Sequence, residues 1–202
     1  MTRSGLNVAG LRFLDWGPID LSFDAGEIVG LSGASGSGKS LLLRAIADLV
    51  ESTGQVAWGG LDRESLAGPA WRRLVGLLPA NPVWWYDQVG GHFHEDISQH
   101  LDPLKLAGDV MAWEVNRLSS GERQRLGILR MLSRSPECLL LDEPTANLDP
   151  DGRDRVVSLL RDYVTDRSVP RGALIVSHDP ELLEELCVAR YEMVEHRLNP
   201  VS

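Results

Sequence analysis

Eight consecutive residues constrain this chain more than any other part of it: Gly33-Ala34-Ser35-Gly36-Ser37-Gly38-Lys39-Ser40. They fit the pattern G-x-x-x-x-G-K-[ST], in which glycines let the backbone wrap so that successive N–H groups point inward at an anion. An apolar run, Ile28-Val29-Gly30-Leu31, leads into them, and residues 40–50 follow with apolar side chains at helical spacing. A strand, a glycine loop and the positive N-terminal end of a helix form a phosphate cradle. Lys39 is placed to reach the β- and γ-phosphates of a nucleotide, and the Ser40 hydroxyl is a hard oxygen ligand suited to Mg²⁺.

A loop of this kind needs a sheet behind it, and the rest of the chain supplies one. Short apolar or alternating runs predict strands at 6–13, 19–23, 27–32, 54–58, 74–78, 137–141, 173–176 and 188–194. Helical periodicity marks 40–50, 120–132, 151–165 and 179–186. Strands alternating with helices imply a mainly parallel sheet covered on both faces. From Asn81 to Arg117 the texture changes to prolines, glycines, aromatics and histidines, predicting an inserted, mostly helical subdomain. The expected organisation is one domain over 1–202, with a nucleotide-binding core at 1–80 and 135–202 and a helical subdomain at 81–134.

Composition excludes several classes. The chain has 202 residues and a net charge of −9, which disfavours a nucleic-acid partner. No apolar run approaches the ~20 residues needed to span a bilayer, and residues 1–5 lead into no apolar leader, so a cytoplasmic location is expected. Cys138 and Cys187 form no disulfide framework and read as small buried residues.

A second constellation closes the strand at 137–141. Leu139-Leu140-Leu141 runs into Asp142-Glu143-Pro144, and ligands of α/β sheets bind beyond the carboxyl ends of strands. Asp142 suits the surroundings of Mg²⁺; Glu143 suits a general base, or an orienter, for an attacking water.

Leu118-Ser119-Ser120-Gly121-Glu122, 20 residues ahead of Cys138, completes a pattern that resembles the ATP-binding cassette (ABC) ATPases, matching their L-S-x-G-[EQ] signature. Asn147-Leu148-Asp149 resembles that family's D-loop, and Ser177-His178-Asp179 resembles its switch histidine. The resemblance implies an α/β P-loop NTPase core of ATP-binding cassette type, with a mainly parallel sheet flanked by helices. It also implies a small N-terminal antiparallel β subdomain and the inserted helical one. Two cassettes, either a homodimer or a paired cassette, are then expected to pack head to tail, the signature of one closing over ATP on the loop of the other. By that analogy Ser119 and the Gly121 N–H bond the γ-phosphate, the helix beginning near Ser120 aims its positive end there, and His178 helps fix the geometry. The partners implied are transmembrane permease subunits on separate chains, with this chain peripheral at the inner face of the membrane. A soluble assembly or regulatory cassette ATPase is the alternative.

Two departures from the family pattern stand out. Where the family carries a glutamine after the strand ending near Pro79, this chain has Ala80, with Asn81 next to it. The aromatic that stacks on adenine falls to Phe13 or Trp16, each of which also suits the core of the small sheet. His92, His94, Glu95, Asp96 and His100 show no convergence and read as surface polar residues. Trp84-Trp85-Tyr86 cannot all enter one core, so an exposed aromatic is expected where the family meets its membrane partner.

Overall fold

The computed structural model describes residues 5–201; residues 1–4, part of the stretch searched for a leader, and Ser202 lie outside the described residues. The chain opens on β1 (Leu6–Phe13), β2 (Trp16–Phe23) and β3 (Ile28–Ser32), then α1 (Lys39–Ile46), β4 (Thr53–Trp58) and β5 (Leu61–Asp62). It continues through α2 (Gly68–Leu74), β6 (Val75–Leu78), α3 (Ser120–Leu132), β7 (Cys138–Asp142) and α4 (Pro150–Thr165). β8 (Gly172–Val176), α5 (Pro180–Leu186), β9 (Ala189–Val194) and β10 (Arg197–Val201) follow.

The strands form two sheets. β2-β1-β4-β5 is antiparallel throughout, and β10-β9-β3-β8-β7-β6 is parallel except where β10 turns back on β9. The middle strands are buried along their length because both faces are covered, which is why they read as unbroken apolar runs. Alternation along β7 splits the core. Leu140 faces a cluster with α1, Trp71 and the small sheet's Leu6, Phe13, Phe23 and Trp58, whereas Leu139 and Leu141 face α3, α4 and α5. Two tryptophans tie these layers with polar tips. Trp71 Nε1 donates to Ile46 O at 2.8 Å, satisfying a carbonyl at the end of α1, and Trp58 Nε1 donates to Glu137 Oε2 at 2.7 Å.

Parallel register sends the ends of β6, β7, β8 and β3 to one edge, with Leu78 beside Leu141, Asp142 beside Val176 and Leu31 beside Val176. The segments that follow these strands therefore converge, which is the geometry a site needs.

The segment 81–117 differs from expectation. It holds no α-helix, only short 3₁₀ turns at Val89–His92, Ser98–His100, Val110–Ala112 and Val115–Arg117, so the α-helical part of 81–134 is α3 alone. Pro82, Gly90-Gly91, Pro103 and Gly108 interrupt any helical run. The segment folds instead around buried Val89, Ile97, Leu101, Leu104, Leu106 and Val110, with Gln88 bridged to Glu114. α2, β5 and β10 were not legible in the sequence. α1 ends at Ile46 rather than Val50, because Asp48 turns left-handed at φ 58°.

His92 corrects the surface reading. It is 3% exposed, and its Nε2 accepts from the backbone N–H groups of Trp85 and Tyr86 at 2.9 and 3.0 Å. This imidazole organises the aromatic loop, burying part of Trp84 and leaving Trp85 and Tyr86 exposed.

Candidate active site

The phosphate loop leaves β3 and enters α1 through Gly38, whose φ of 97° is the left-handed conformation only glycine adopts without strain. A side chain at Gly38 would also strike the ring of Trp16, 2.8 Å from where its Cβ would sit. α1 has no side-chain cap, so its first N–H groups remain turned to the loop interior. The Lys39 ammonium crosses that interior and donates to Gly33 O and Ala34 O, both at 2.8 Å. Burial lowers its pKa, and Glu143 and Asp142 counter part of that effect.

A cavity of about 270 Å³ opens over the loop, lined by residues 35–41, Ala80, Asp142, Glu143, Val176 and His178. Three motifs of the sequence thus meet on one surface: Ser35, Gly36, Ser37, Gly38, Lys39 and Ser40 with the acidic pair and the histidine. Asp142 is 7% exposed at the end of β7. Glu143 leaves the strand at φ 50°; its Oε2 accepts from Ser177 Oγ at 3.3 Å, and the same hydroxyl accepts from Asp179 N–H at 3.1 Å. Ser177 is a part of the site that sequence reading left without a role; its 1% exposure beside an acidic strand end is the signal that marks it. His178 Nε2 stands 3.9 Å from Glu143 Oε1.

Glu143 Oε1 is buried without a hydrogen-bond partner. A buried orphan acceptor is costly unless a donor from outside the chain meets it. Burial raises the pKa of Glu143, the opposing pulls of His178 and Ser177 being smaller. An N–H-lined loop, a buried cation, a hydroxyl at Ser40 and a buried carboxylate at Asp142 fit a nucleotide triphosphate carrying a hard divalent cation.

The signature residues stand apart from this cavity, on the start of α3. Ser119 caps the helix in a reciprocal box: its N–H and hydroxyl donate to Glu122 Oε2 at 2.9 and 2.7 Å, and Glu122 N–H donates back to Ser119 Oγ at 3.2 Å. The Ser119 bond lowers the Glu122 pKa, so Glu122 stays ionised. Ser119 and Ser120 are exposed, and Gly121 is packed so closely that a Cβ there would lie 3.3 Å from Asn147 O of the D-loop segment.

The two aromatic candidates separate. Phe13 is 2% exposed in the small-sheet core, so the expectation that it faces a base is corrected: no face is free. Trp16 is half-buried beside Gly38, with the His196 ring stacked on it at 3.8 Å. Ala80 lines the cavity, whereas its neighbour Asn81 is exposed and does not.

Comparison with known proteins follows the same lines. Residues 17–146 match the family model described as ABC transporter. The chain is 36% identical over 200 residues to the lipoprotein-releasing system ATP-binding protein LolD of Anaeromyxobacter dehalogenans, covering 89% of this chain and 82% of that one. It is 33% identical over 195 residues to the phosphonates import ATP-binding protein PhnC 1 of Rhodopseudomonas palustris, covering 82% and 70%. A bacterial Atm1-family ABC exporter solved with ATP bound shares the fold, with a TM-score of 0.84 at 21% identity, over 98% of this chain and 38% of that one.

Proposed function

This chain belongs to the ABC transporter family as one of its ATP-binding, ATP-hydrolysing subunits that power transport, and from that premise we propose how its residues act. The observation that carries the proposal is the meeting of the phosphate loop, Asp142, Glu143 and His178 on one cavity, with the signature residues elsewhere and Ser119 and Ser120 exposed. A site split in this way is completed by a second cassette packed head to tail.

In the proposed cycle, the loop N–H groups and Lys39 hold the phosphates of ATP, Lys39 exchanging the Gly33 and Ala34 carbonyls for phosphate oxygens. Ser40 and Asp142 would hold Mg²⁺, which would supply neutralisation of the phosphate charge. Glu143 Oε1 accepts from the attacking water and orients it, and His178 keeps that arrangement at the γ-phosphate. Trp16 stacks on the base. Ser119, Ser120 and Gly121 reach the nucleotide of the partner cassette; Ser119 must first release its hydroxyl proton from Glu122. Closure on ATP and reopening after hydrolysis form a two-state shift driven by the nucleotide.

The permease meets this chain beside Ala80. A groove there is lined by Arg72, Arg73, Pro79, Trp85, Arg130 and Arg134, with Trp85 57% exposed, a concentration of cations on a chain of net charge −9. No helix among the described residues is long and apolar enough to cross a membrane. Membrane-spanning permease subunits on separate chains, with this chain peripheral at the inner face, are the partners this reading gives it, supported by its likeness to ATP-binding proteins of a lipoprotein-releasing system and of phosphonates import. Co-purification from detergent-solubilised membranes tests this; a chain that stays alone would contradict it.

Ala80 sets the basal rate. Its methyl group faces the cavity where the family carries an amide, and one missing polar contact to the metal and water costs roughly ten- to a hundredfold in turnover. Ala80→Gln is expected to raise kcat at saturating ATP and Mg²⁺, and Asn81→Ala to leave it unchanged because Asn81 faces away. Steady-state ATPase rates of the two variants decide; a fall with Asn81→Ala would transfer the role to Asn81.

A further inference from the structure

Glu143 occupies a backbone conformation that its own sequence opposes. Its φ of 50° is left-handed, and it precedes Pro144, whose ring pushes the residue before it toward extended backbone. Several hydrogen bonds hold the turn. Glu143 N–H donates to Val176 O at 2.9 Å, and Glu143 O accepts from Ala146 N–H at 3.1 Å. The remaining bonds come from a side chain elsewhere in the sequence: the Gln124 Nε2 amide donates to Glu143 O and to Pro144 O, both at 3.2 Å.

Gln124 lies on α3 and is 2% exposed, with the buried Ile128 one turn further along the same face of the helix. A buried amide is costly unless paired, and here both N–H groups are paired. The two groups it meets are carbonyl oxygens, which accept only, so the NH₂ end of the amide must face them. The companion it finds inside is the turn carrying the candidate catalytic carboxylate.

We infer that Gln124 is a positioning residue for hydrolysis, pinning the Glu143–Pro144 turn so that the Glu143 carboxylate points into the cavity. It does so from the helix whose first turn carries Ser119 and Gly121. A displacement of α3 at its exposed end is therefore felt at the backbone of Glu143 in the same chain. The inference rests on the reading of Glu143 as the group that orients water.

The test compares Gln124→Met, which keeps the length and removes both donors, with Gln124→His, which keeps an N–H donor. For Gln124→Met, kcat should fall roughly ten- to a hundredfold, the scale of an ångström-sized misplacement, while affinity for a fluorescent ATP analogue stays at the wild-type value. Gln124→His should recover part of kcat. A folded Gln124→Met with wild-type kcat overturns the inference. So does a parallel fall in kcat and nucleotide affinity that Gln124→His does not reverse, since that is general loss of packing. If Gln124→Met does not fold, Gln124→Glu decides: its carboxylate opposes two carbonyl oxygens, and normal kcat in that variant overturns the inference. Glu143→Gln is the control. If it retains turnover, the reading of Glu143 and the inference fall together; if it stops turnover while Gln124→Met does not slow it, the positioning role alone fails.

Discussion

Replacing Lys39 with alanine is expected to weaken ATP binding by about 3 kcal/mol, or roughly a hundredfold in Kd. Lys39 is 6% exposed and its ammonium already makes two 2.8 Å bonds to loop carbonyls, so its position over the loop is fixed before any nucleotide arrives. Binding exchanges those carbonyls for phosphate oxygens of full negative charge, which strengthens each bond. The loop N–H groups and the end of α1 remain in the variant and retain part of the affinity. A fluorescent-nucleotide titration measures the change, with thermal unfolding showing that the variant is folded. Near wild-type affinity in a folded Lys39→Ala protein would remove the loop from the site.

Glu143→Gln has the largest effect expected on turnover. Losing a base or water-orienting carboxylate costs on the order of a hundredfold or more in kcat. The amide keeps the shape of the side chain, so ATP affinity is expected to persist. Burial raises the Glu143 pKa, and the ionised form is the one that accepts from water. Turnover should therefore fall as pH drops, beginning above the usual carboxylate range of about 4.3. Glu143→Gln should lack that limb. Single-turnover rates across pH measure both effects, and a variant with wild-type kcat would assign the water to another group.

What was legible in the sequence follows from where local chemistry decides. The glycine loop, the apolar strand running into Asp142-Glu143 and the helix start at Ser119 each state their structure within a few residues, because φ, burial and capping act locally. Parallel register then brings the strand ends together without further instruction. The segment 81–117 was not legible as it folds: its helical pattern is weak, and its shape depends on His92 meeting two backbone N–H groups and on apolar residues spread from Val89 to Val110. The small elements α2, β5 and β10 fell below what periodicity resolves in so few residues. Phe13 and Trp16 were equivalent in sequence because both are aromatics flanking one hairpin turn; only packing places one in the core and the other against Gly38. Ser177 and Gln124 went unassigned because their roles are contacts to residues 34 and 19 positions away.

The central claim is that hydrolysis takes place in a site completed by a second cassette, since Ser119, Ser120 and Gly121 stand outside the cavity that holds Lys39, Asp142 and Glu143. Sedimentation of Glu143→Gln with and without Mg²⁺-ATP tests it most directly. A monomer that becomes a dimer on adding ATP, and returns to monomer when Ser119-Ser120-Gly121 is also disrupted by Gly121→Asp, is the predicted result. A Glu143→Gln protein that binds ATP tightly yet remains monomeric at saturating nucleotide would contradict it.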